Sequence, residues 1–384
     1  MTFPIRISIT FLYLVYLVYA GITAFAQETY HEFDNENPIW SDNEGIHINA
    51  HGGGILRVKN RYYWFGEHKS SGQNGNKAFT GVHVYSSPDL YNWNDEGIAL
   101  EMLTDVDSKL QKGAIVERPK VIYNNNTGKY VMWFHHELKD QGYSAALTGV
   151  AVADNVTGPY TYLDSFRIHP GVWPLNFTKE QREKAEKLFN QQEINLNDYA
   201  AEGVFLIRDF NEGQMSRDMT LFVDDDGTAY HITASENNRT LLISKLADDY
   251  LSLTNDYIRV FPGGKNEAPA VFKRKGKYYM ITSGLTGWNP NPARSGVSDS
   301  MLGAWKSLGN PVQGTQEQEK TTFHSQSTFI IPVAGYDDAY IFMADRWKPK
   351  NAIEGEYIWL PIEFEDGIPI LKWYAQWDLS FFEK

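Results

Sequence analysis

NEAPAVFKRKGKYYMIT, residues 266–282, reads as an apolar strand, a Lys/Gly turn and a second strand opening on Tyr278. Four more segments follow the same plan: IHINAHGGGILRVKNRYYWF (46–65), AIVERPKVIYNNNTGKYVMWF (114–134), SRDMTLFVDDDGTAYHIT (216–233) and HSQSTFIIPVAGYDDAYIFM (324–343). Their second strands open on Tyr62, Tyr130, Tyr230 and Tyr340. Counting back 11 to 14 residues from each Tyr gives His51, Glu117, Asp218, Glu267 and Gln326, a polar residue at one place in every repeat. An imperfect repeat of four-strand units is the signature of a β-propeller, here all-β with five blades. Equivalent positions on the innermost strands ring the central channel. These five residues are therefore expected to meet at one mouth of it, and three carboxyls beside a His and a Gln suit acid–base chemistry.

Third strands follow the same logic: GVHVYSSPDLYNWN, TGVAVADNVTGPYTYL, LLISKLADDYLSLT and RSGVSDSMLGAWKSL each join an apolar run to a Ser/Asp-rich turn. Their apolar–polar alternation is that of half-buried antiparallel strands. The blades are expected near 45–105, 112–165, 203–262, 265–313 and 321–380, all within one domain at 45–384. The anchor tyrosines are 68, 100, 48 and 62 residues apart, and the long gap holds the one segment that breaks the pattern. TKEQREKAEKLFNQQ (178–192), charged and free of Gly and Pro, predicts a surface helix inside an insertion at about 166–202. Thr178 with Gln181 three residues on is a capping-box pair. The insertion is either a rim over the channel mouth or a passive decoration.

Eleven Trp, 23 Tyr and 21 Phe in 384 residues can fill the cores of stacked sheets, with a minority left to pack on sugar faces. A formal charge of −13 argues against nucleic acid and anionic membranes as partners. There is no Cys/His metal spacing. Arg6 ahead of ISITFLYLVYLVYAGITAFA, ending Ala24-Phe25-Ala26, fits a signal peptide over 1–26, followed by a polar lead-in at 27–44. An exported chain with no cysteine has no disulfides, which suits the bacterial periplasm. A monomer is expected, and no membrane contact once the leader is removed.

The candidate residues carry chemistry of different kinds. Glu267 and Glu117 each stand two residues before a proline at the start of an apolar strand, Pro269 and Pro119, which fixes the local backbone. A carboxyl buried at a channel mouth gains a raised pKa, as a general acid needs, and Asp218 nearby would raise it further. Asp224-Asp225-Asp226-Gly227 is a turn only. Arg217 would point away from Asp218 if both lie in a strand. His51 precedes three glycines, but no helix follows and no Lys or Ser closes the loop, so nucleotide binding is rejected. Gln326 is a hydrogen-bonding residue. Trp288 and Trp347 sit in loops or strand ends and are candidates for stacking on a sugar. Glu67, Thr286 and Arg346 complete the substrate-binding candidates.

The strings INAHGGGIL, YYWFGEHK, ERPKV, SRDMTLF, EAPAVF, FHSQSTF and ADRW followed by YIWLP resemble glycoside hydrolase family 43, in its branch of exo-β-1,3-galactanases and β-galactosidases of Bacteroides type. The resemblance spans nearly all of the chain beyond the leader. It implies Glu267 as general acid and Asp218 as the residue that tunes it. The family's usual first-blade Asp is absent here, where Asn49-Ala50-His51-Gly52 stands. In this branch Gln326 is implied as an imidic-acid base and Glu117 as a galactose ligand, whereas bare chemistry prefers the Glu117 carboxylate as base. No cofactor is implied. A channel calcium is compatible with the family, although the chain has no calcium loop. The expected activity is inverting, exo-acting release of galactose from β-1,3-galactan or arabinogalactan side chains. The competing expectations are an α-L-arabinofuranosidase or β-xylosidase on the same fold, and a propeller that binds sugar without cleaving it.

Overall fold

A computed structural model describes residues 29–37, 39–189 and 202–383. Among them lie five four-stranded antiparallel sheets, each built from consecutive strands, which form the five blades of a propeller. The innermost strands are His51–Val58, Ile115–Asn124, Met219–Val223, Asn266–Arg274 and Gln326–Pro332. Each pairs with the strand that carries the anchor tyrosine, so the repeat in the sequence is the repeat of the blades. The proposed leader, 1–26, lies outside the described residues; no described helix is long and apolar enough to cross a membrane.

Four of the five inner strands break register near the candidate residue: between His51 and Gly54, Glu117 and Lys120, Glu267 and Ala270, and Ser327 and Phe329. In three of them the residue after the candidate is left-handed, with φ of 60° at Gly52, 56° at Arg118 and 50° at Ala268. Such bulges re-aim a side chain and end regular pairing. Pro119 and Pro269 sit inside them, where the ladder has no use for a donor. The prolines noted in the sequence therefore mark the bulges that present Glu117 and Glu267.

Aromatic side chains fill the seams between blades. Trp64, Trp93, Trp359, Trp377, Tyr357 and Phe33 form one buried cluster where blade five meets blade one. The lead-in is more tightly built than its polar composition suggests. Phe33–Asp34 pairs with Gln376–Trp377, and the buried Asn35 side chain bonds the backbone of Trp359 and Tyr374. The chain's two described ends thus clasp each other over that seam.

The predicted helix is present as Lys179–Phe189. Its capping box is made: Thr178 N–H donates to Gln181 Oε1 at 2.8 Å and Gln181 N–H to Thr178 Oγ1 at 3.2 Å. The insertion runs further than the sequence indicated. Val204–Arg208 is a short helix rather than the start of blade three, whose first strand begins at Met219. Its apolar run reads as a strand, but Leu206 packs with Phe177 and Ala185 in a small core of the insertion's own. The described parts lie against blade three's outermost strand, Leu253–Val260, where Leu175 N–H donates to Tyr257 O and Tyr257 Oη to Val172 O.

Candidate active site

At one mouth of the channel lies a pocket of about 310 Å³, lined by Glu67, Glu117, Asp218, Glu267, Gln326 and Trp347 among others. Its floor is organised by Arg118, the left-handed bulge residue of blade two. The guanidinium donates to Asp218 Oδ2 at 3.0 Å and Gln326 Oε1 at 2.6 Å through Nη2, and to Ser327 O at 3.1 Å through Nη1. Its backbone N–H donates to Glu67 Oε1 at 2.9 Å, and its plane lies 5.0 Å from the centre of the Trp347 ring. One planar fork thus ties together side chains from blades two, three and five, a task the point charge of a lysine cannot perform.

Glu267 is nearly buried, and its Oε1 accepts from Asn238 Nδ2 at 2.6 Å. Burial first, and then the charge of Asp218, push its carboxyl up to about 8, against the pull of Arg118 and Arg217. It therefore holds a proton at neutral pH, as a general acid must. Asp218 also accepts from Ala268 N–H at 3.2 Å, the residue next to Glu267. Glu117 is the opposite case. Burial would raise it, but hydrogen bonds and charge from His135, with Lys69 and Tyr143, bring it down to about 2. His135 donates to it at 2.9 Å and Tyr143 Oη at 2.5 Å. His135 sits between Glu117 and Glu137, which outweigh its burial and raise it to about 9. Two carboxyls in one pocket are thus pushed in opposite directions, Glu267 up and Glu117 down, the pattern by which one site can supply both an acid and a base.

Gln326 is fixed on both ends. Its Oε1 faces Arg118 Nη2 and, at 2.8 Å, Trp347 Nε1, and its Nε2 donates to Ser283 Oγ at 2.8 Å. Arg and Trp nitrogens can only donate. The Gln326 Oε1 is therefore placed as an acceptor between the two.

The other candidates divide. Glu67 lines the pocket, bonded to Arg118 and 2.5 Å from Lys69 Nζ. Trp288 and Trp347 both stand at the mouth, edge to face at 5.8 Å, with Trp288 42% exposed; neither is in a blade core. Arg346 lines a smaller adjoining recess beyond these two rings and is turned to Phe323 O and Glu356. Thr286 does not line the pocket; its hydroxyl donates to Asn289 O and holds the loop that carries Trp288. His51 is not in the pocket either. It is buried and stacked on Tyr357 at 5.4 Å, because Glu67, its partner across the strand pair, occupies the pocket wall of blade one. Arg217 does line the pocket, since the strand begins only at Met219 and alternation does not reach it. Tyr143 and Asn238 carried no signal in the sequence. Both lie on loops, outside the repeat that located the rest.

Among the described residues, the one ligand-type cluster in this pocket is already engaged. Glu117, His135 and Asp218 bring ligand-type atoms within 4.8 Å of one another, but both His135 nitrogens are taken by carboxylates. Deeper in the channel the carbonyls of Gly52 and Arg118 accept from Lys120 Nζ, at 2.9 and 3.4 Å. The Lys120 amine thus already sits on these two carbonyl oxygens. Burial, with Arg118 alongside, brings Lys120 down to about 7.

A family model described as glycosyl hydrolases family 43 matches residues 198–369. A solved family-43 β-1,3-galactosidase, held with galactodeoxynojirimycin, is 51% identical, and the match covers 89% of this chain and 99% of that one with a TM-score of 0.83. The chain belongs to glycosyl hydrolase family 43. This family-43 glycosidase is also similar to an exo-β-1,3-galactanase from Phanerochaete chrysosporium solved with β-1,3-galactotriose: 32% identity, 91% of this chain, 68% of that one, TM-score 0.72. A β-D-galactofuranosidase from Aspergillus niger is 25% identical over 294 residues, 72% of this chain and 71% of that protein. The family-43 resemblance and the five-bladed fold expected from the sequence both stand.

Proposed function

We propose that this family-43 glycosidase is an exo-acting, inverting β-galactosidase that releases galactose from the ends of β-1,3-galactan or arabinogalactan side chains. The observation that carries the mechanism is the buried Glu267 carboxyl, braced by Asn238 beside the Asp218–Arg118 pair. A pocket floored by Arg118 favours a chain end over an internal residue. Galactose-type ligands in the similar structures favour galactose within it.

In this reading Glu267 gives its proton to the glycosidic oxygen as the bond to the anomeric carbon breaks. Water attacks that carbon from the opposite face, and inverting enzymes hold their two carboxyls about 6.5–9.5 Å apart to admit it. The water's proton passes to Glu117, the ionised carboxylate; Gln326, whose Oε1 accepts from both, positions Arg118 and Trp347. A base held at about 2 takes its proton late, when the anomeric carbon is already cation-like, and its charge stabilises that cation. The apolar run and Ala24-Phe25-Ala26 at the N-terminus support export to the periplasm.

The test is to incubate the protein with β-1,3-galactan and with nitrophenyl β-galactoside, α-L-arabinofuranoside and β-xyloside, and to identify the sugar set free. Free galactose without intermediate oligosaccharides is expected. Arabinose or xylose as the main product, or binding without any product, would overturn the proposal.

A further inference from the structure

The turn that delivers Asn238 to Glu267 is backbone that L-residues avoid. Glu236, Asn237 and Asn238 have φ of 51°, 58° and 60°, three successive non-glycine residues in the left-handed region. Left-handed residues ordinarily occur singly, so such a run persists only where its surroundings hold it. Two arginines do so. Arg259 grips the buried Glu236 by both oxygens, Nε to Oε1 at 2.6 Å and Nη2 to Oε2 at 2.8 Å, and Thr240 Oγ1 adds a third bond at 2.8 Å. Arg239 Nη1 donates to Asn237 O at 2.9 Å.

Both arginines are seated on the insertion. Asn176 Oδ1 accepts from Arg259 N–H at 3.0 Å and Asn176 Nδ2 donates to Arg259 O at 2.7 Å. The Phe177 ring lies 5.3 Å from the Arg259 guanidinium, and Phe205, in the insertion's second helix, lies 4.6 Å from that of Arg239. Gly203 allows the second helix to close on Phe177, since a Cβ there would stand 2.6 Å from the ring. We infer that the insertion is a buttress for the general acid: Phe177 and Asn176 seat Arg259, Arg259 clamps Glu236, and the clamped turn holds Asn238 against Glu267. Glu236 and Arg259 are positioning residues, remote from substrate. The inference rests on Glu267 being the acid, and it gives the insertion a part in the chemistry rather than in decoration.

The experiment compares Arg259→Lys, which keeps the charge but not the fork, and Phe177→Ala, which leaves the ion pair untouched, with wild type on two galactosides. β-1,3-Galactobiose has a poor leaving group that needs the acid; 2,4-dinitrophenyl β-galactoside does not. The ratio of the two kcat/KM values is independent of how much enzyme is folded. In both variants that ratio is expected to fall about tenfold or more, part of the roughly 10² to 10⁴-fold that a general acid contributes, through kcat rather than KM. An Asn donor favours the ionised carboxylate, so the alkaline limb of the galactobiose profile should also move to higher pH, while Asp218, Arg118, Arg217 and Glu117, which face Glu267, keep their places. An unchanged ratio with an unmoved alkaline limb would overturn the buttress. If wild type cleaves neither galactoside, the galactosidase reading fails by itself. The same ratio is then measured on good- and poor-leaving-group forms of the sugar it does cleave.

Discussion

Replacing the proposed acid should make the protein more stable, and only at the pH values where the acid is costly. Burial and Asp218 move the Glu267 carboxyl from 4.5 to about 8 in the folded chain. Between those values the folded state holds a proton that the unfolded chain gives up. The stability linked to this group is therefore full below about 4.5 and is lost as pH rises through about 8. Glu267→Gln has no proton to lose and accepts the same bond from Asn238. The variant's advantage in Tm should be near zero at pH 4, grow above pH 4.5 and level off above pH 8. A displacement of that size corresponds to at most about 5 kcal/mol. The pocket is open to water, so about half is a sounder figure; at roughly 2 °C per kcal/mol for a large domain that is about 5 °C. Thermal melts of both proteins in one buffer series from pH 4 to 9 read it directly. Activity on β-1,3-galactan should fall about 10² to 10⁴-fold, and less on nitrophenyl substrates. A Tm difference that stays constant across the series would refute the assignment of a buried, proton-holding Glu267.

Glu117→Gln should lower kcat by about 10³ on every galactoside, good leaving groups included, because all of them need the water activated; azide should restore turnover to Glu117→Ala. Gln326→Ala should cost about tenfold, by loosening Arg118 and Trp347. The reverse order would return the base to Gln326. Trp288→Ala should raise KM several-fold with kcat unchanged, as loss of uniform binding does, and an unchanged KM would remove Trp288 from the binding surface. His51→Ala should lower stability through lost packing on Tyr357 by about 1–3 kcal/mol, read as a lower Tm, and leave kcat/KM within about threefold; a hundredfold kinetic loss would put His51 back in the site.

The blades were legible because their signal is periodic and their cores are aromatic. A tyrosine 11 to 14 residues beyond a polar residue in each of five segments located every inner strand. The proline two residues after Glu117 and Glu267 marked the bulges that aim those side chains, although the bulge itself is a matter of φ that sequence does not display. Blade one shows the limit of such counting. His51 has the offset and the bulge, yet its neighbour across the ladder, Glu67, takes the pocket wall, and no repeat reveals which of two paired strands supplies a side chain. Arg118 stood in plain view inside ERPKV, but its role depends on three partners brought from blades one, three and five. Val204-Phe205-Leu206 read as strand because a short apolar run does not distinguish a buried helical turn from one. Asn238 depended on a left-handed turn held from outside the blade, which only tertiary contacts specify.

The central claim, inverting release of galactose, is tested most directly by ¹H NMR of the anomeric protons during the first minutes of β-1,3-galactan hydrolysis, before the sugar equilibrates. With an acid and a water-activating base on opposite faces of the bond, the first galactose to appear should be the α-anomer, with the β-anomer growing in later by mutarotation. Galactose appearing first as the β-anomer would mean retention through a covalent intermediate and would contradict the roles given to Glu267 and Glu117.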